Sequence, residues 1–161
     1  MTEGRILVAE NDGIYLLKLN GDVRVTLCAS ISDYLDQIFS GAMPREVYVD
    51  LLDAECLDST TLGLLARLAI HTQQEFDFRT QLLCNNPNIL RFFEAMDIEG
   101  LFDVVDSHPP PNLEPQEVPG GEFDENQVRE QVLEAHRLLV KLNPELMSEF
   151  YDLITSLESD D

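Results

Sequence analysis

Positive charge is scarce in this sequence. Only 10 Lys and Arg stand against 31 Asp and Glu, for a formal net charge of −21 over 161 residues. Nucleic-acid binding needs clustered cations to neutralise phosphates, so this balance argues against nucleic acid as a main partner. It argues against an anionic membrane surface for the same reason. Long hydrophobic runs are missing too. No stretch approaches the ~20 apolar residues of a membrane-spanning helix, and the start Met1-Thr2-Glu3-Gly4-Arg5 lacks a signal-peptide pattern. The expectation is a cytoplasmic protein without membrane association. Cysteine is sparse: Cys28, Cys56 and Cys84 form no CxxC pair and read as three buried thiols in a reducing compartment. His71, His108 and His136 are scattered and fit no ligand spacing, so neither a metal nor a cofactor is expected. There is no Gly-rich phosphate loop and no Ser-His-Asp set that sequence can place, which argues against an enzyme.

What is present is a core-forming chain. Apolar residues make up 44% and charged residues 25%, a globular composition, and the length suits about one domain. Arg5-Ile6-Leu7-Val8-Ala9-Glu10 and Ile14-Tyr15-Leu16-Leu17-Lys18-Leu19 are β-rich runs around Asn11-Asp12-Gly13, which predicts a hairpin. From Ser30 onward, Ile31, Tyr34, Leu35 and Ile38 recur at helical spacing up to Gly41. Glu46-Val47-Tyr48-Val49-Asp50-Leu51-Leu52 predicts a strand buried on both faces. A helix follows Asp58-Ser59, with Leu62, Leu65, Ala66 and Ala69 toward the core. Thr80 to Cys84 predicts another strand, Pro87 starts a helix through Ile89, Leu90, Phe93 and Met96, and Gly100 to Val105 predicts a last strand. Strands alternating with helices after an opening hairpin give an α/β fold.

Composition changes after Asp106. Pro109-Pro110-Pro111, Pro115 and Pro119-Gly120-Gly121 mark residues 107–123 as an acidic, semi-rigid linker between a domain at 1–106 and an extension at 124–161. Asp124 and Gln127 fit a capping box, followed by an apolar stripe of Val128, Val132, Ala135, Leu139 and Leu142. Asn143-Pro144 stops that helix and starts another, with a stripe of Leu146, Phe150, Leu153 and Leu157. Neither stripe can stay in water. The extension is therefore expected to dock on the domain, on a second copy of the chain as a homodimer, or on a partner, leaving Ser59 open.

The most informative segment is Leu57-Asp58-Ser59-Thr60-Thr61-Leu62-Gly63-Leu64-Leu65, which crosses from a loop into a helix. Ser59 at such a start can simply cap the helix. The segment also resembles the Asp-Ser-Ser-Gly-Leu-Gly signature of STAS domains, the anti-anti-sigma fold. Leu19-Asn20-Gly21-Asp22 resembles that family's end of the second strand, and residues 92–102 resemble its late helix, turn and final strand. The resemblance spans roughly residues 5 to 106 and implies a STAS fold: a mixed sheet with interspersed helices, here with a C-terminal helical extension.

The resemblance also implies an activity. Such a protein, unphosphorylated, binds an anti-sigma factor and frees the sigma factor. A serine kinase switches it off and a PP2C-type phosphatase resets it; with its proline-linked helical extension, the whole chain is most similar to a member of the family that acts in motility and biofilm control. Carried over by position, the phosphoacceptor is Ser59 beside Asp58. Thr60 is a substitute hydroxyl, since Thr61 stands where the family has glycine. Arg24 stands where the family often has aspartate, and Asp22 can supply the nearby carboxylate. On the helix that follows, Thr61, Leu64, Leu68, His71 and Glu75 fall opposite the core face. Leu64 and Leu68 there predict either a partner-docking patch or a face covered by another helix.

Two other readings were open. Glu10, Asp12 and Asp50 resemble the acidic loop and phosphoacceptor of a response-regulator receiver, with Asp50 taking phosphate through Mg²⁺. Against this, Asp12-Gly13 leads into a strand rather than a helix, and only Lys18 and Lys141 are present as lysines. The other is a STAS-type ligand-binding module or an accessory subunit of a transporter, which requires a concave apolar pocket or a membrane complex.

Overall fold

A computed structural model of the chain describes residues 2–119 and 124–159. Met1, residues 120–123 and residues 160–161 lie outside them, and with them the Gly120-Gly121 part of the predicted linker and the end of the predicted extension. Asp12 and Gly13 take φ of 52° and 81°, the positive pair that a tight two-residue hairpin turn needs. They join β1 (Arg5–Asn11) to β2 (Ile14–Val23), as the Asp-Gly signal predicts.

β2 is the hub of a seven-stranded mixed sheet. It runs antiparallel to β1, and parallel to β3 (Glu46–Asp50) and to the short β4 (Ala54–Leu57). β5 (Thr80–Leu83) and β6 (Phe102–Val105) extend the sheet in parallel beyond β3. β7 (Gln116–Glu117) pairs antiparallel with β1, so the order is β6-β5-β3-β2-β1-β7, with β4 at the end of β2. Alternation sorts the side chains. Leu17, Leu19, Val47, Val49 and Leu82 join the core shared with α1 (Cys28–Ser40), α2 (Ser59–Phe76) and α3 (Pro87–Ala95). Leu16, Tyr48 and Leu83 form a second cluster with Leu113.

Leu113 corrects the linker expectation. Residues 107–119 are not a free spacer. Leu113 is buried in that second cluster, Asn11 Nδ2 donates to Asn112 O at 3.1 Å, and the Arg5 guanidinium grips the Glu117 carboxylate at 2.8 and 3.2 Å. A sheet whose middle strands are apolar on both faces needs cover on both, and this segment supplies part of the second. The strand expected from Gly100 begins at Phe102, because Glu99–Leu101 form a 3-10 turn. The strand expected to reach Leu52 ends at Asp50, whose Oδ1 accepts from Leu52 N at 2.9 Å and turns the chain.

The extension is a helical hairpin. Asp124 caps α4 (Glu125–Leu142) by accepting from Asn126 N at 3.0 Å. Asn143 caps a 3-10 turn at Pro144–Leu146, and α5 (Met147–Ser159) follows. Arg137 on α4 pairs with Glu158 on α5 at 3.2 Å. Leu139, Leu146, Phe150 and Ile154 belong to the main core, so the hairpin shares the domain's interior. The second stripe is Leu146, Phe150 and Ile154 rather than the predicted Leu146, Phe150, Leu153 and Leu157: Leu153 is exposed and Leu157 half-buried. Successive spacing by four carries the buried line onto Ile154. Among the described residues no helix is long and apolar enough to cross a membrane.

Leu139 tests this docking, being fully buried where α4 meets the core. Leu139→Ala should lower unfolding free energy by about 2–5 kcal/mol, as core Leu truncations do. The urea midpoint measures it. A loss under about 0.5 kcal/mol, typical of a surface change, would mean that α4 is not packed there.

Candidate functional site

The start of α2 is built by Asp58. Its backbone is extended (φ −96°, ψ 171°), and its Oδ1 accepts both the Thr61 amide at 2.9 Å and the Thr61 hydroxyl at 2.8 Å. Asp58, not Ser59, is thus the capping residue. The cap draws Thr61 inward beside Cys28, whose Sγ lies 3.9 Å from Thr61 Oγ1. Thr60 and Thr61 are 4% and 0% exposed, whereas Ser59 is half-buried on the outer side. Thr60, the expected substitute phosphoacceptor, is buried in this arrangement, whereas Ser59 keeps part of its surface exposed. Thr61 likewise serves the cap rather than an outward contact.

Ser59 is not open as expected. Its Oγ lies 2.7 Å from His136 Nε2 on α4, and His136 Nδ1 lies 2.7 Å from Val132 O. A carbonyl only accepts, so Nδ1–H must donate to Val132. In the neutral ring Nε2 then has no proton, and Ser59 Oγ–H donates to it. His136 is 2% exposed, and the Phe150 ring meets it edge-on at 4.7 Å and 81°. Sequence reading weighed His136 only as a metal ligand. Its spacing, four after Val132 and three before Leu139, was the signal that it lies on the buried side of α4.

Leu64 and Leu68 do lie off the sheet face, but neither is open: they are 5% and 0% exposed, with Leu64 set between Ser32 of α1 and Gln131 and Ala135 of α4. In this arrangement they are an internal interface and not a free docking patch. The helices approach closely at Gly63: a Cβ built there would meet Ala135 Cβ at 2.6 Å and Ala135 Cα and O at 2.8 Å. His71, further along the same face, stacks on Phe39 at 3.7 Å.

Asp22, at the end of β2, lies beside β4 in register with Cys56 and pairs with Arg24 at 2.8 Å. The hydrogen bond from Arg24 to Asp22, then the Asp22 charge, and more weakly the charges of Cys56 and Asp58, hold the guanidinium above its ordinary pKa. The end of β2 and the start of α2 therefore form one electrostatic neighbourhood. Asp50 lies elsewhere. It is buried at the end of β3, where its carboxylate receives Lys18 Nζ at 3.2 Å. Asp12 sits at the β1–β2 turn, paired with Arg45 at 2.9 Å. The register sets Ile14 beside Glu46 and Lys18 beside Asp50, so Asp12 and Asp50 are at least ~13 Å apart along the strands at ~3.3 Å per residue. The receiver arrangement of Glu10, Asp12 and Asp50 does not assemble. Among the described residues no three His, Cys, Asp or Glu groups are grouped to hold a metal.

Of the three thiols expected to be buried, Cys28 and Cys84 are and Cys56 is half-exposed, on a short strand at the sheet's end. Burial, reinforced by the Asp58 charge, pushes the Cys28 thiol up to about 12. Because the folded value lies above the ordinary value of 9.0, this group's contribution to stability is complete below pH 9 and is lost as pH rises toward 12. At pH 8, iodoacetamide should modify Cys56 in the native protein, while Cys28 should react only on unfolding. Mass mapping of labelled peptides checks this. Asp58→Ala should cost about 1–2 kcal/mol of stability through the lost cap, and Asp58→Asn, which keeps an acceptor, clearly less. Paired thermal melts separate the two.

No protein-family model matches the sequence, and no curated protein matches it. The structure is similar to the crystal structure of an anti-sigma factor antagonist from Mycobacterium paratuberculosis. The TM-score is 0.56 at 16% sequence identity, over 65% of this chain and 87% of that one. About a third of this chain has no counterpart in that neighbour. The chain thus has the STAS fold of an anti-sigma factor antagonist, elaborated by further residues of its own.

Proposed function

We propose that the protein is an anti-sigma factor antagonist whose switch is Ser59. The observation that carries the reading is the start of α2 in this fold: Asp58 forms the cap, Thr60 and Thr61 are buried, and of the three hydroxyl residues Ser59 alone keeps part of its surface exposed. Unphosphorylated, the chain binds an anti-sigma factor over the start of α2 and the Asp22–Arg24 end of β2, releasing the sigma factor. A serine kinase transfers phosphate to Ser59, and a PP2C-type phosphatase removes it. The output is motility and biofilm control, in the cytoplasm.

The physical basis is local charge. Phosphorylation adds ~1.5–2 negative charges at neutral pH. The amide-rich start of α2 offsets this by about 0.3–1 kcal/mol, so the sheet domain stays folded. A partner packed over the same spot would have to desolvate the phosphate next to Asp58, at a cost of several kcal/mol. About 2.8 kcal/mol already weakens binding a hundredfold.

Peptide mapping of the protein from its own cells should find one phosphate, on Ser59. Capture of the anti-sigma factor should persist with Ser59→Ala and fall at least tenfold with Ser59→Asp, while the sheet domain stays folded. A hydroxylamine-labile phosphate on Asp50, or undiminished capture by the phosphorylated protein, would overturn the reading.

A further inference from the structure

The contact between α2 and the α4–α5 hairpin has the marks of a joint that opens. It is sealed by shape at Gly63, where the three atoms nearest to a would-be Cβ all belong to Ala135 of α4. Gly63 falls at the last glycine of the Asp-Ser-Ser-Gly-Leu-Gly signature, and in this chain the missing side chain is where α4 makes its close approach. The joint is imperfectly packed. A cavity of about 40 Å³ lies between the helices, lined by Gly63, Leu64, Arg67, Gln131 and Ala135, and Gln131 Oε1 is buried with no hydrogen-bond partner. The polar bond across the joint is the one from Ser59 Oγ–H to His136 Nε2. At the same seam lies Leu64, an apolar side chain on the face that a helical partner could take.

We propose that α4 and α5 are an exchangeable occupant of the partner-docking face of α2, and that a phosphate on Ser59 displaces them. The biological trigger rests on the reading of Ser59 as phosphoacceptor; the mechanics rest on the joint. Transfer of the γ-phosphoryl group of ATP forms the Oγ–P bond, releases ADP and removes the hydroxyl proton. Ser59 then has no donor for Nε2, whose partner Nδ1–H remains committed to Val132 O. A gap of 2.7 Å leaves no room for phosphorus and three oxygens, and Phe150 blocks the imidazole from swinging aside. Hairpin and phosphate therefore exclude each other, and a kinase reaches Oγ where the hairpin no longer lies against it. In the unphosphorylated chain an anti-sigma factor reaching Leu64 must displace the same hairpin; in the phosphorylated chain that face is uncovered but the charge beside Asp58 still bars the partner, so hairpin release and partner binding are separate readouts.

The test is amide hydrogen exchange on full-length chains: wild type, the chain with phosphoserine installed at position 59 during synthesis, Gly63→Ala and His136→Gln. Loss of a bond to a buried acceptor should open the joint at least about fivefold more often. Amides of 125–142 should therefore exchange at least about fivefold faster with phosphoserine and with Gly63→Ala, while β3 and β5 keep wild-type rates. His136→Gln retains an acceptor and should exchange as wild type. Wild-type protection of α4 in the phosphorylated chain, as an imidazolium–phosphate clamp would give, overturns the proposal. So does wild-type protection in Gly63→Ala. The two readings fail separately. Absence of phosphate on Ser59 in cells removes the switch and leaves the exchange result standing. A protected α4 in the phosphorylated chain removes the release and leaves the switch standing.

Discussion

A helix that carries apolar side chains on two faces must be covered on both, and α2 is such a helix. Leu62, Leu65, Ala66 and Ala69 meet the sheet side, while Leu64 and Leu68 lie opposite. Once the sheet has taken the first set, the second requires another layer. The hairpin of α4 and α5 provides it, and the shared core through Leu139, Phe150 and Ile154 follows. So does the position of His136, which the crossing at Gly63 brings against the first turn of α2. The chemistry of the site thus descends from a packing demand. A serine that would otherwise face water acquires a specific acceptor because a neighbouring leucine pair cannot face it.

Asp58 ties the same turn to the rest of the fold. One carboxylate oxygen satisfies a backbone amide and a buried hydroxyl, and its charge reaches the Cys28 thiol on one side and Arg24 on the other. Three separated segments therefore converge on a single cap. Ser59 extends outward from that fixed point, so a change at its hydroxyl is presented to whatever lies over α2 while the turn beneath is held.

Much of this was legible in the sequence, for physical reasons that differ by element. The Asp12-Gly13 turn, the α1 stripe of Ile31, Tyr34, Leu35 and Ile38, and the caps at Asp124 and Asn143 depend on local chemistry that neighbouring residues determine. β4 and β7 do not. Four and two residues long, they exist because β2 and β1 offer edges, and no periodicity marks them. Ile154 in place of Leu153 turns on the exact phase of α5. At the site, the segment around Ser59 was readable, but its covering was not. His136 is 77 residues away in sequence, and only the docked hairpin brings it within 2.7 Å. Gly63 belongs to the readable signature, but that α4 would use its missing side chain for a close approach at Ala135 was not legible.

The short strand β7 has a consequence for how this protein behaves among copies of itself. A sheet ends in rows of unsatisfied amides and carbonyls that can template a further strand. Gln116 and Glu117 occupy part of the β1 margin, Val118 N donates to Ile6 O at 2.9 Å, and Arg5 clasps Glu117 outside them. The other margin is β6, four residues long, with Asp103 held in an ion pair by Arg79 at 2.9 Å. One margin is stoppered by the chain's own proline-rich segment and the other is short and charged. A copy of this chain therefore offers its neighbours little free strand edge on which to build.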